Sequence, residues 1–200
     1  MVGDRELLSG PVQDVAPRLL GSLLTAGGVT VRLVEVEAYA GADDPGSHAF
    51  RGRTPRTAVM FGPPGHAYVY LTYGMHWCLN VVTGAAGAAS AVLLRAGEVV
   101  DGLAAARARR PGVRDRDLCR GPARLTRAIG LTGDHNGLDL LGPCSPVRLV
   151  LSTAAGAAVC IGPRVGVAGA GAATPWRYWL GGEPAVSPYR PAAPRRRRTA

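Results

Sequence analysis

Residues 29–39, VTVRLVEVEAY, constrain the fold more tightly than any other segment. Val, Thr, Leu and Tyr dominate the run, and Gly27-Gly28 precedes it, which together read as a β-strand. Side chains alternate along a strand, so Val29, Val31, Leu33, Glu35, Glu37 and Tyr39 share one face. Two carboxylates on the second half of that apolar face are unusual. Glu37 is therefore the first candidate for chemistry, as a base in a partly dry pocket. The structural alternative is a strand-end Glu that reaches solvent or pairs with an Arg.

The neighbouring segments set the fold class. Residues 14–24 are expected to form a helix, with Asp14 as its cap, Pro17 in its first turn and Leu19, Leu20 and Leu23 on its apolar side. Residues 40–66 form a long connection rich in Gly, Pro, Asp and Arg, a length that points to function or disorder. Strands are expected at 67–73, 76–83 and 89–100. Gly74-Met75 turns the first pair into a hairpin, and a Gly/Ala-rich turn at 84–88 extends it to an antiparallel meander. Helical pattern follows at 101–110, where Asp101 can cap, and at 122–129, where Pro122 suits the first turn. Strands return at 147–152 and 159–167. Helices and strands mixed without regular βαβ alternation predict an α+β fold, one compact domain over 1–190 with a mostly antiparallel sheet. The remaining 191–200, ending in Arg195–Arg198, lacks apolar residues to bury and is expected to be disordered.

Composition narrows the chemistry. The 200-residue chain carries a net charge of +9, and all 23 of its cations are Arg. Coding bias toward Ala, Gly, Pro and Arg accounts for that as a matter of composition. The absence of Lys nevertheless excludes a Walker A loop and any lysine Schiff base. Eight arginines between 107 and 127 face only Asp115 and Asp117, a strongly cationic stretch. No apolar run approaches the roughly 20 residues of a membrane span, and the N-terminus lacks a signal-peptide core. Cys78, Cys119, Cys144 and Cys160 show no metal-ligand or CxxC spacing, so reduced thiols in a cytoplasmic protein are expected. The zinc-deaminase, GxSxG and GxGxxG patterns are all missing, and no metal or cofactor is expected.

Several other polar residues compete for a site. Four of the six Tyr are Tyr39, Tyr68, Tyr70 and Tyr73, and aromatics beside a basic surface can stack on bases, although β-propensity alone also places Tyr in sheets. Asn80, on the strand face of His76 and Cys78, can read a ligand edge or cap a backbone group. Arg95 lies inside AVLLRAG and, if buried, needs Glu35 or Glu37 as a partner. His48 stands alone in a loop.

These residues fall in motifs that resemble the mammalian-type 3-methyladenine (alkyladenine) DNA glycosylases. The likeness is strongest over residues 35–84, EVEAYAGADDPGSHAFRGRTPRTAVMFGPPGHAYVYLTYGMHWCLNVVTG. It continues through VLLRAGEVVDG (92–102), LCRGPARL (118–125) and GPRVGV (162–167), and covers most of 7–190. The resemblance implies a monofunctional hydrolase that flips a damaged purine from duplex DNA. It leaves an abasic site for downstream repair enzymes and cleaves no strand. It implies that Glu37 activates water, with Arg95 and the main chain at Val165 helping to hold it. It places Tyr39, His48, Tyr70 and Asn80 around the flipped base and Tyr73 in the vacated duplex gap. Arg51, Arg53 and Arg56 are candidates for the DNA backbone. The chain is then expected to be a monomer, away from membranes, in the cytoplasm and, in a bacterium, with the nucleoid. The rival expectations are a non-catalytic basic nucleic-acid-binding module, and a formyltransferase-like or RNA-binding domain. Glu37 argues against the first, since a pure binder gains nothing from a carboxylate near phosphates. The combined EAY, YGM and LLRA motifs argue against the second.

Overall fold

Two eleven-residue strands, β2 (Val29–Tyr39) and β5 (Ala91–Asp101), pair antiparallel and form the spine of an eight-stranded sheet. The computed structural model describes residues 3–152 and 158–193. On one side of the spine lie β4 (His76–Val82) and then β3 (Ala67–Thr72). The other edge of β2 is shared. Its first half pairs with β1 (Leu23–Ala26), which carries β6 (Val147–Val150) in turn, and residues 35–37 pair with β8 (Arg177–Leu180), the partner of β7 (Val159–Gly162). Every pairing among these strands is antiparallel, and the sheet curls strongly within one compact α+β domain.

The curl has a local cause. The β2–β5 ladder slips register around Leu33, Glu35 and Val36, and bulges of this kind bend and twist a strand. Gly97 lies opposite Leu33, and a Cβ there would sit 2.2 Å from Val31 Cγ1 and 2.6 Å from the Arg32 carbonyl. Only a glycine lets β5 press that close to β2.

The helix expected at 14–24 does not form. α1 (Asp4–Leu7) and α2 (Val12–Val15) are single turns, and a 3-10 turn at Ala16–Leu19 follows with Pro17 near its start. Asp14 is inside α2, whose cap is Pro11. Leu19 and Leu20 are buried at the end of the 3-10 turn, where the chain leaves helical geometry and runs on into β1. Leu24 is buried and Leu23 exposed, and both belong to β1. Gly27 and Gly28, both with positive φ, close a two-residue hairpin into β2 rather than ending a helix.

The other departures are smaller. α3 (Leu103–Arg109) starts from Gly102 in the left-handed region, while Asp101 is the last residue of β5 and caps nothing. α4 (Pro122–Ala128) matches its expected span closely. The strand expected at 159–167 stops at Gly162, because the chain turns there to send residues 164–168 toward the candidate site. Strand β8 has no counterpart among the expected strands. Its RYWL stretch shows no clean polar–apolar alternation, and one of its two partners, β2, lies more than a hundred positions away. Residues 194–200 of the expected disordered tail lie outside the described residues.

The main core is largely aliphatic and joins the sheet to α2, the 3-10 turn after it, α3 and α4. A second, smaller cluster of Ala49, Met60, Tyr68, Val82 and Ala91 fastens the 40–66 connection to the sheet. That fastening makes the connection one wall of a cavity.

Candidate active site

The cavity holds about 600 Å³ and is lined by Tyr39, His48, Tyr70, Asn80, Arg95 and Val165 among others. Its walls come from the ends of β2 to β5, the 40–66 connection, the N-terminus of α4 and the turn after β7. Tyr73 and His76 reach it from the β3–β4 hairpin.

Glu37 lies just beneath this lining and is fully buried. Three lining residues hold it. The Val165 amide donates to Oε1 at 2.7 Å, the Tyr39 hydroxyl to Oε2 at 2.8 Å, and Arg95 Nη1 to Oε2 at 3.2 Å. An ionised carboxylate has about four acceptor positions, so the described residues occupy three of them. The solvent-seeking strand-end Glu is thereby excluded.

Glu35, two residues earlier, faces the same way and is equally buried. Its Oε1 accepts from Arg95 Nε and Arg177 Nε, each at 2.8 Å, and from the Ser187 hydroxyl at 2.9 Å. Its Oε2 accepts the Ser187 amide at 2.7 Å. Burial works to raise the pKa of Glu35, but Arg95, Arg177 and the Ser187 amide outweigh it and hold the group below the ordinary carboxylate value. Burial likewise opposes the charge on Arg95, and Glu37 and Glu35 together raise its pKa instead. Arg95 therefore pairs with both carboxylates that the sequence offered it.

The aromatic residues are held at defined angles. Tyr68 and Tyr70 share a face of β3, with ring centres 5.6 Å apart. His48 meets Tyr70 edge-on at 4.5 Å and 83°, and its Nδ1 is 3.1 Å from the Tyr68 hydroxyl. Burial and then the nearby Arg56 guanidinium lower the basicity of His48, which favours the neutral ring. Burial, followed by the Glu37 charge, pushes the Tyr39 hydroxyl well above its ordinary pKa, so it stays a donor. Asn80 is buried and donates its Nδ2 to the Tyr68 carbonyl at 3.1 Å while lining the cavity. The backbone-capping reading of Asn80 is thus met, in a side chain that also borders the cavity.

Tyr73 is set apart from the others. It is 90 % exposed at the tip of the β3–β4 hairpin and has φ of 50°. Among the described residues it is the one non-glycine with positive φ. Met75 is also exposed at this tip, giving the hairpin an apolar prow. Arg51, Arg53 and Arg56 are exposed on the 40–66 connection, and the Arg56 guanidinium lies 5.3 Å from the Tyr70 ring centre.

The sequence reading missed a layer behind the pocket. Arg164 is fully buried, gripped by both oxygens of Asp44, and it donates to the Ala38 carbonyl at 2.9 Å. Its guanidinium lies 4.6 Å from the Tyr39 ring and 5.3 Å from the Trp176 ring. Arg164 thus braces the back of Tyr39 and ties the 40–66 connection to the turn carrying Val165. Its signal was a cation next to Val165 in GPRVGV; Arg177 and Ser187 offered no local signal.

The comparison with known families bears on what this arrangement does. The family model for methylpurine-DNA glycosylase matches residues 6–184. The chain belongs to the methylpurine-DNA glycosylase family. A candidate 3-methyladenine DNA glycosylase of Streptomyces avermitilis is 52 % identical over 98 % of this chain and 95 % of its own length. Relatives of the same designation in Frankia casuarinae and Nocardia farcinica are 53 % and 54 % identical, over 94 % and 97 % of this chain and 92 % and 95 % of theirs. As a member of this family the protein is a DNA glycosylase, a hydrolase of N-glycosyl bonds that acts on DNA. The non-catalytic module and the formyltransferase-like domain give way to that membership.

Proposed function

We propose that this protein excises alkylated or deaminated purines from duplex DNA, with 3-methyladenine and hypoxanthine as its substrates, and leaves an abasic site without cutting the strand. The observation that carries the reading is Glu37, a buried carboxylate held by three residues that all line an aromatic cavity.

The target bond is hidden in the base stack, so the nucleotide is flipped at a cost of a few kcal/mol. Tyr73 enters the gap and offsets part of that cost. The flipped base stacks on Tyr39, with His48 and Tyr70 across the cavity, and a cationic base gains cation–π attraction. A neutral His48 does not repel it. The fixed amide of Asn80 crowds the 2-amino group of an undamaged guanine.

As the base departs, the sugar acquires oxocarbenium character. Glu37 stabilises that charge and takes a proton from the attacking water. Water reaches Glu37 where Tyr39, Arg95 and Val165 line the cavity, and Arg95 and the Val165 main chain hold it. Hydrolysis, with no lysine available to attack the sugar, is consistent with a chain that lacks Lys. Arg51, Arg53 and Arg56 bind backbone phosphates. The 1–190 unit works as a monomer in the bacterial cytoplasm, at the nucleoid, and passes its abasic product to other repair enzymes.

The test uses duplexes carrying one 3-methyladenine or hypoxanthine, incubated with the wild type or Glu37→Gln and then treated with alkali. Breaks only after alkali, absent with Glu37→Gln, are expected. Breaks before alkali contradict hydrolysis without strand cleavage, and wild-type excision by Glu37→Gln removes Glu37 from the mechanism.

A further inference from the structure

Neither Glu35 nor Glu37 lines the cavity, but Glu37 is held by three residues that do, and Glu35 carries four hydrogen bonds from described residues against three on Glu37. The reason lies in how Arg95 divides its guanidinium. A guanidinium beside a carboxylate prefers a two-pronged grip on it. Here the prongs are split. Nε goes to Glu35 at 2.8 Å, Nη2 to the Ser187 hydroxyl at 3.2 Å, and only Nη1 reaches Glu37, at 3.2 Å. Arg177 and the Ser187 amide in turn fix Glu35 from its far side, so that Glu35 cannot follow Arg95 if it swings.

We propose that Glu35, braced by Ser187 and Arg177, is a positioning residue that holds Arg95 to a single contact with Glu37. This rests on the reading of Glu37 as the group that activates water. Without Glu35, Arg95 turns its full fork onto Glu37. That occupies the acceptor position left for a water proton and damps the negative charge meant for the sugar. Losing one of two buried carboxylates also leaves the site one unit more positive just where a cationic transition state forms. Two carboxylates spaced i, i+2 on β2 thus have separate tasks, one toward the substrate and one toward its partner's geometry.

The experiment compares the wild type, Glu35→Gln, Glu35→Asp, Ser187→Ala and Glu37→Gln. It measures the single-turnover excision rate across pH and the affinity for a duplex carrying an abasic analogue. Glu35→Gln should lower the rate roughly ten- to a hundredfold, the size of a lost hydrogen bond to a charged group. Its affinity should stay within about twofold of wild type, and the acid limb of its rate profile should move to lower pH as Arg95 closes on Glu37. Glu35→Asp should recover part of the rate. Ser187→Ala removes the hydroxyl but keeps both charges, and should give a smaller loss in the same direction; it decides the matter if Glu35→Gln does not fold. Wild-type rates in Glu35→Gln and Ser187→Ala, with Glu37→Gln inactive, overturn the positioning role and leave the reading of Glu37 standing. A parallel fall in affinity and rate, with no movement of the profile, also overturns it. Excision by Glu37→Gln overturns both readings together.

Discussion

The main-chain amide of Val165 donates to Glu37 Oε1 at 2.7 Å across 128 positions of sequence. A carboxylate placed by a strand is thus finished by a turn from the far end of the domain. The turn is held there by Arg164, which reaches back to Asp44 and to the Ala38 carbonyl. Glu37 and its support form one hydrogen-bonded assembly, of the kind that electrostatic preorganisation requires.

Tyr39→Phe separates the proposed stacking role of that side chain from its hydrogen bond. The ring is kept, while the 2.8 Å hydrogen bond to Glu37 is lost. A hydrogen bond to a charged group is worth about 1.5–3 kcal/mol. Single-turnover excision should fall by about tenfold or more with lesion affinity little changed. An affinity loss as large as the rate loss would show that the hydroxyl acts in binding.

Tyr73→Asn probes a strained tip. Tyr73 holds φ of 50°, a conformation costing about 1–2 kcal/mol for most side chains and less for Asn. The melting temperature should hold or rise, while affinity for an abasic-analogue duplex falls. Greater stability with weaker binding would mark Tyr73 as strained for function, whereas unchanged affinity would refute the wedge.

Acid stability should depend on Glu35. Its folded pKa lies below its ordinary value of 4.5, because Arg95, Arg177 and the Ser187 amide overcome the effect of burial. Below that ordinary value the unfolded chain takes up a proton that the folded chain refuses. The stabilisation is therefore complete above about pH 4.5 and is lost as pH falls toward the folded value. Denaturant titrations should show this loss in the wild type and a shallower acid slope in Glu35→Gln. Equal slopes would contradict the assignment.

Salt should weaken DNA binding in steps. Each phosphate neutralised by an Arg adds about −0.9 to the slope of log affinity against log salt. Replacing Arg51, Arg53 and Arg56 by Gln should flatten the slope by that amount for each phosphate no longer neutralised. A slope equal to wild type would place the phosphates elsewhere.

The four thiols should divide by burial. Burial pushes Cys119 up to about 12 and raises Cys78 as well, whereas Cys144 is exposed and Cys160 half-buried. A thiol reagent at neutral pH should label Cys144 and Cys160 first, and the other two on unfolding. Rapid labelling of Cys78 in the folded protein would mean that the cavity floor opens.

Much of the candidate site was legible because its polar and aromatic residues fall within local motifs. Glu37 with Tyr39 and His48 with its loop stood out as polar or aromatic residues in readable settings. Asn80 and Arg95 stood out as polar residues inside apolar strand runs. The first 28 residues misled, because Leu19, Leu20 and Leu23 fit a helical stripe although Leu19 ends a 3-10 turn and Leu23 opens β1 with its side chain exposed. Pro17 and the Gly27-Gly28 turn decide the matter only once β2 is present to pair with β1. Strand β8, Arg177 and Ser187 gave no local signal, and Arg164 only its place beside Val165, for the same reason: each gains its meaning from a partner more than a hundred residues away.

The sequence by itself determined an α+β chain, the strand that carries two carboxylates, and chemistry without Lys, because periodicity and residue type act over short distances. Only the tertiary structure decided that Arg95 divides itself between Glu35 and Glu37 and that Val165 completes the grip. Those contacts depend on a curled sheet that brings β2, β5, β8 and the turn after β7 to one place, and on burial that leaves each charge no partner but the ones found there.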